Sequence, residues 1–111
     1  IRTGRLLRPD LGIKLYDQRR LRQAGFDRGV MIAQVIPDGP ADRAGLRGIR
    51  RNPRTGLLEP GDLILAINGQ AVDNIDDYER IVRSLKPGST ARLTVERGDR
   101  TFEVEVIVGG S

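Results

Sequence analysis

Pro9-Asp10-Leu11-Gly12-Ile13-Lys14-Leu15 is the stretch on which the reading of this chain turns. One glycine breaks a short apolar run, and Arg8 stands just before it. Lacking a Cβ, glycine tolerates unusual dihedrals, so a turn at Gly12 can converge backbone N–H groups on an anion. The alternation Leu11, Ile13, Leu15 then starts a strand with one apolar face. A turn of free N–H groups opening onto a strand edge suits the terminal carboxylate of a peptide. Alone, the run describes an ordinary strand entry equally well, and the rest of the chain has to decide.

Composition narrows the choices. The 111 residues suit one compact domain, and the 38% apolar content supports a modest core. No apolar run approaches the roughly 20 residues that span a bilayer. The abrupt start at Ile1 is expected of a fragment of something longer. There is no cysteine, hence no disulfide framework or thiolate ligand, and no histidine, hence no Ser-His-Asp or Cys-His catalysis and no imidazole metal site. Ser84, Ser89 and Ser111 lie outside any Gly-x-Ser-x-Gly elbow. No catalytic residue, metal ligand or cofactor site is therefore expected in these residues. The net charge of +4 is carried mostly by arginine. Only Tyr16, Phe26, Tyr78 and Phe102 are aromatic, and they are not interleaved with the arginines, which argues against a base-stacking surface and nucleic acid as a partner.

Working outward, residues 1–8 read as a basic lead-in and 11–16 as a strand. Residues 17–24 suit a short helix with Asp17 as N-cap and Gly25 as its stop, leaving Arg19, Arg20 and Arg22 largely in water. The apolar, β-branched residues 29–36 predict a central strand. Pro37-Asp38-Gly39-Pro40 turns into one or two helical turns over 41–46. Residues 47–59, with four arginines, Asn52-Pro53 and two glycines, read as an exposed loop or a small hairpin tipped by Thr55-Gly56. Pro60-Gly61-Asp62 precedes a buried strand at 63–67, and Asn68-Gly69 is a type I′ hairpin signal with its return strand at 70–72. Residues 73–85 form the one long helix, capped by Asn74, with Asp76 and Asp77 in its first turn. Residues 90–97 and 101–108 alternate cleanly around Gly98-Asp99. No βαβ rhythm is present. The expected class is α+β: a partly open barrel or sandwich of five to six short strands capped by two helices.

The pieces Asp10-Leu11-Gly12-Ile13, Gly29 to Val35, Pro40-Ala41-Asp42-Arg43-Ala44-Gly45-Leu46, Gly61-Asp62-Leu63-Ile64-Leu65-Ala66-Ile67-Asn68-Gly69 and the helix beyond occur in an order that resembles a PDZ domain. More narrowly, it is similar to the PDZ domain that follows the protease domain in HtrA/Deg serine proteases. The resemblance covers most of residues 9–108. It implies a link from a preceding protease domain at 1–8, the domain at 9–108 and a tail at 109–111. It implies a non-catalytic module that recognises C-terminal or extended hydrophobic peptides by strand addition, in a parent serine endopeptidase of the periplasm or cell envelope engaged in protein quality control. The partners implied are peptides or unfolded protein C-termini and the attached protease domain, with the isolated domain a monomer and the parent a homo-oligomer. A PDZ adaptor of another membrane or secretion protein is the alternative, and the residues upstream of Ile1 would discriminate the two.

On this resemblance the carboxylate-binding loop comprises Arg8, Asp10, Leu11, Gly12 and Ile13, and the groove Lys14, Leu15, Tyr78, Val82 and Leu85. Helical spacing turns Tyr78, Val82 and Leu85 to the groove and Ile75 and Ile81 to the core. Tyr78 takes the position where signalling relatives often hold a histidine reading a hydroxyl, so the expected preference is apolar or aromatic. Two departures stand out. Asp10 places a carboxylate where another carboxylate is to be received, to be neutralised by Arg8 or Lys14. The segment 47–59 exceeds the short connection of smaller relatives and favours the Deg branch.

Overall fold

The computed structural model describes residues 8–110. Their elements run β1 Pro9–Asp10, β2 Ile13–Leu15, α1 Gln18–Gln23, β3 Val30–Val35, α2 Pro40–Arg43, β4 Arg50–Arg51, β5 Leu58–Glu59, β6 Leu63–Ile67, β7 Gln70–Ala71, α3 Ile75–Arg83, β8 Thr90–Arg97, β9 Arg100–Ile107 and β10 Gly109–Gly110. One antiparallel sheet orders as β2-β3-β6-β8-β9, with β7 added to β6, while β1 pairs with β10 and β4 with β5. The α+β class and the open sheet are as expected. The count differs: three helices rather than two, and two-residue strands that are too short to leave a periodic signal in sequence.

Local chemistry accounts for most boundaries. The Asp17 side chain accepts from the Arg20 N–H and caps α1, and Asn74 accepts from the Asp77 N–H and caps α3. Asn68 (φ 51°) and Gly69 (φ 79°) both occupy the left-handed region, the type I′ geometry that closes β6 onto β7. Pro40 opens α2 at a position where its missing N–H costs nothing. Helix α3 stops short of the expected residue 85. The Ser84 hydroxyl donates to the Ile81 carbonyl, and Leu85 follows in a turn, its N–H donating to the Val82 carbonyl.

The core is continuous from Leu11 through Ile32, Ile64, Ile67, Ile81, Leu93, Val95 and Val106, with α3 closing one side. Its buried charge is Asp62, 1% exposed. Asp62 receives two N–H groups of Arg97, each at 2.8 Å, and the Arg47 N–H at 2.9 Å, while Arg97 also donates to the Gly45 carbonyl and lies over the Phe102 ring. Forked, fully bonded pairing of this kind makes a buried carboxylate tolerable. It raises the Arg97 pKa, chiefly through the bond to Asp62. It also pins the chain after α2 and the root of the β4–β5 hairpin to β6 and β8.

Two expectations need correction. Arg22 is half-buried rather than solvated: its guanidinium donates to the carbonyls of Phe26, Gly29 and Asp73. Gly109 and Gly110 are not a tail, since Gly110 pairs with Pro9 and Gly109 with Asp10. The lead-in at residues 1–7 lies outside the described residues, and Arg8 is exposed.

Candidate functional site

The sheet order leaves β2 paired on one side only. The Gly12 carbonyl accepts from the Ile36 N–H, and the Tyr16 N–H donates to the Met31 carbonyl. An antiparallel ladder alternates in direction, so the main-chain groups of Ile13 and Leu15 point away from β3, to the open edge. A bulge at Ala33 preserves this phase: Lys14 faces Gln34, while Leu15 faces Ile32. An exposed row of unpaired N–H and C=O groups is a template for another strand.

Helix α3 forms the second wall. Tyr78, Ile81 and Val82 are buried in the same cluster as Leu11, with Ile13, Leu15, Ile75 and Leu85 packed against it. Ile81, 2% exposed, takes the core side as expected; Ile75 is half-buried. Tyr78 and Val82 are more enclosed than a free groove implies, at 8% and 9% exposure. Leu11, at 1%, belongs to the core rather than to an open pocket. The two walls of the cleft are thus joined by one apolar cluster. Lys14 is exposed and borders a separate depression with Gln34, Ile36, Asp42 and Arg50. Its side chain alternates away from Ile13 and Leu15, so it does not line the wall facing α3. An added strand would still bring alternate side chains to its side of the pleat.

The turn before β2 is tightly held. Gly12 has φ +71°, and a Cβ there would lie 3.0 Å from Cδ of Pro40. The Ala41 N–H donates to the Leu11 carbonyl, locking α2 beneath the turn. The Gly12 N–H donates to Asp10 Oδ1 at 3.0 Å. Neither Arg8 nor Lys14 forms an ion pair with Asp10 among the described residues. Burial pushes the Tyr78 hydroxyl pKa well up, with the carboxylates of Asp10 and Glu79 adding to the effect, so the phenol stays protonated.

Contacts that the sequence does not reveal set the tilt of α3. The Ile75 N–H donates to Gln18 Oε1 at 2.9 Å, and Arg22 holds the Asp73 carbonyl. The partners are 57 and 51 residues apart, with no local pattern to announce them. At the same end, the Asp73 N–H donates to Asp77 Oδ2. This bond, with Arg80 beside it, lowers the Asp77 pKa.

An apolar-lined cleft of about 330 Å³ between Pro40, Arg43, Ile107 and Val108 is a rival cavity. The β9 strand beside it is also paired on one side only, but the four-residue α2 faces it rather than the long apolar face of α3, and the β2–α3 cleft is the stronger candidate for that reason.

A sequence profile of the PDZ domain matches residues 9–108. The chain belongs to the PDZ family. This PDZ domain is 37% identical over 106 residues to chloroplastic Protease Do-like 1 of Arabidopsis thaliana, covering 96% of this chain and 24% of that protein. It is 32% identical over 110 residues to a probable periplasmic serine endoprotease, DegP-like, of Ectopseudomonas mendocina, covering 96% of this chain and 21% of that protein. The chain thus spans a quarter or less of the length of these curated relatives. Among solved structures it is similar to the HtrA-type protease AlgW with decapeptide (TM-score 0.69, 27% identity, 95% of this chain and 30% of that one). It also shares the fold of the HtrA3 PDZ domain bound to a phage-derived ligand (TM-score 0.70, 18% identity, 96% and 89%).

Proposed function

We propose that this PDZ domain binds an extended apolar peptide segment as an added strand on the open edge of β2, with alternate side chains entering between β2 and α3. The observation that carries the reading is the unpaired main chain of Ile13 and Leu15 set against the apolar face of α3. The Asp10–Ile13 turn stands at the end of the cleft where the ligand's C-terminal side is received, with Leu15, Tyr78, Val82 and Leu85 along its walls. Because Tyr78 and Val82 are largely covered and the groove offers few residues to a ligand, affinity is expected on the order of micromolar.

In the longer protein, we infer that the module serves an attached serine endopeptidase of the HtrA/Deg type, presenting or sensing substrate segments. The similarity to Do-like and DegP-like proteases supports this, and their printed locations support a periplasmic or comparable envelope compartment. A homo-oligomeric parent belongs to the same proposal.

The test is a selection from random peptides displayed both with free C-termini and embedded between flanking sequences, followed by amide NMR of the labelled domain. Shifts confined to Ile13–Leu15, the preceding turn and α3 are expected. Binding that perturbs the Pro40–Ile107 cleft instead would overturn the assignment.

A further inference from the structure

We infer that Asp10 occupies the ligand-carboxylate position of its own domain, so that the site prefers internal segments or C-terminally blocked peptides over free C-termini. The inference deepens the peptide-binding reading above and rests on it.

Three observations carry it. The Gly12 N–H, a donor of the turn that opens onto the β2 edge, is already bonded to Asp10 Oδ1 at 3.0 Å. The position of Asp10 is fixed on the other side, because its backbone pairs with Gly109 through the β1–β10 ladder, and Gly109 itself packs on Pro40, the residue that closes Gly12. No cation forms an ion pair with Asp10 among the described residues; Lys14 turns to the depression with Gln34 and Asp42. An arriving carboxylate therefore finds the Gly12 donor of the turn taken and a like charge next to it, with the Ile13 N–H left open. Two such charges about 4 Å apart cost about fivefold in affinity in water-like surroundings and considerably more as the site dries. An internal segment brings a carbonyl in place of the carboxylate. It carries no charge to be repelled, and its strand hydrogen bonds to Ile13 and Leu15 are unaffected.

Asp10 is exposed, and its carboxylate adds, after burial, to the upward shift of the Tyr78 hydroxyl on α3. Asp10 is thus a specificity-determining residue.

The experiment uses the tightest peptide from the selection above in three forms: free acid, C-terminal amide, and embedded between neutral flanks. Each is titrated by fluorescence anisotropy against the native chain, Asp10→Asn and Asp10→Ala. Asp10→Asn retains an oxygen able to accept from Gly12 but removes the charge; Asp10→Ala removes both. Thermal melts confirm that the variants are folded. The native chain is expected to bind the amide and the embedded form about fivefold or more tighter than the acid. Asp10→Asn should bring the three forms within about twofold, and Asp10→Ala should favour the acid. A native chain that prefers the acid, or an acid-to-amide ratio unchanged in Asp10→Ala, overturns the inference. Failure of every form to bind any of the three proteins overturns instead the peptide-binding reading on which it stands.

Discussion

Replacing Gly12 by alanine tests whether the turn before β2 is clamped by its surroundings or is a loop of convenience. Two costs add. At φ +71° an L-residue is disfavoured by about 1–2 kcal/mol. The new Cβ would also stand 3.0 Å from Pro40 Cδ and 3.4 Å from Pro40 N. Neither atom belongs to a flexible side chain, and α2, which Pro40 begins, is tied to Leu11 by the Ala41 N–H. Overpacking of this kind costs about 1–3 kcal/mol. Gly25 provides the control. It has φ +99°, with nothing within 4 Å of a built Cβ, so Gly25→Ala carries the conformational cost alone. Urea denaturation of both variants should show Gly12→Ala losing about 2–4 kcal/mol, at least 1 kcal/mol more than Gly25→Ala, and melting roughly 10–20 °C lower than the native chain. Equal losses in the two variants would show that Pro40 yields, and the argument for a fixed carboxylate-end turn would fail with it. Gly12→Val is on this geometry a folding lesion as well as a binding one.

Arg97→Met should cost about 2–3 kcal/mol in chemical denaturation, because Asp62 stays buried with only the Arg47 N–H; the figure is set below the full range for broken buried pairs because Arg97 is about a third exposed. Ile81→Asp should give a chain unfolded by circular dichroism, and Val82→Asp, given its 9% exposure, should be nearly as damaging, whereas Leu85→Ser should stay folded and weaken peptide titrations several-fold. The Asp77 pKa is lowered in the folded chain, so its contribution is present above the ordinary value of 3.8 and lost as pH falls below it; acid unfolding curves of Asp77→Asn should therefore converge on those of the native chain below that point, and a gap that persists at lower pH would refute the assignment. Replacing residues 52–57 by a short Gly-Ser turn should leave the melting temperature within a few degrees and peptide affinity intact, as loop length contributes little entropy.

Features whose cause is local were legible in the sequence. Asp17 and Asn74 cap their helices through N–H groups three residues on, and Asn68-Gly69 specifies a turn from two residues alone. The β8–β9 register, with Arg97 opposite Arg100, follows from two alternating runs and a two-residue turn. The walls of the cleft were legible as faces, since helical phase separates Ile81 from its neighbours, but phase does not say whether two faces stand apart or touch. Tyr78 and Val82 are covered because they join the cluster of Leu11 and Ile81 against which Ile13 and Leu15 also pack, a closeness the sequence does not measure. The clamp on α3 was illegible for another reason: Gln18 and Arg22 resemble any solvated helix residues, and only the fold brings Ile75 and Asp73 to them. Asp10 was visible as an oddity. Its acceptance of the Gly12 N–H, a bond across two residues, is what turns that oddity into a candidate specificity device.

The stem of the β4–β5 hairpin has a consequence for how the domain can vary. Gly48 and Gly61 press backbone to backbone against β3, so that any side chain at either position would overlap Ala33 or Ile32. Beyond them, Arg51, Pro53, Arg54 and Leu57 stand in solvent. The tip is therefore a splice point: its length, charge and sequence can be rewritten, or a foreign loop grafted there, without the sheet registering the change. A single methyl group at the stem would instead be felt by β3, and through its ladder by the edge strand β2. Diversity in this PDZ domain is open at one end of a hairpin and closed at the other.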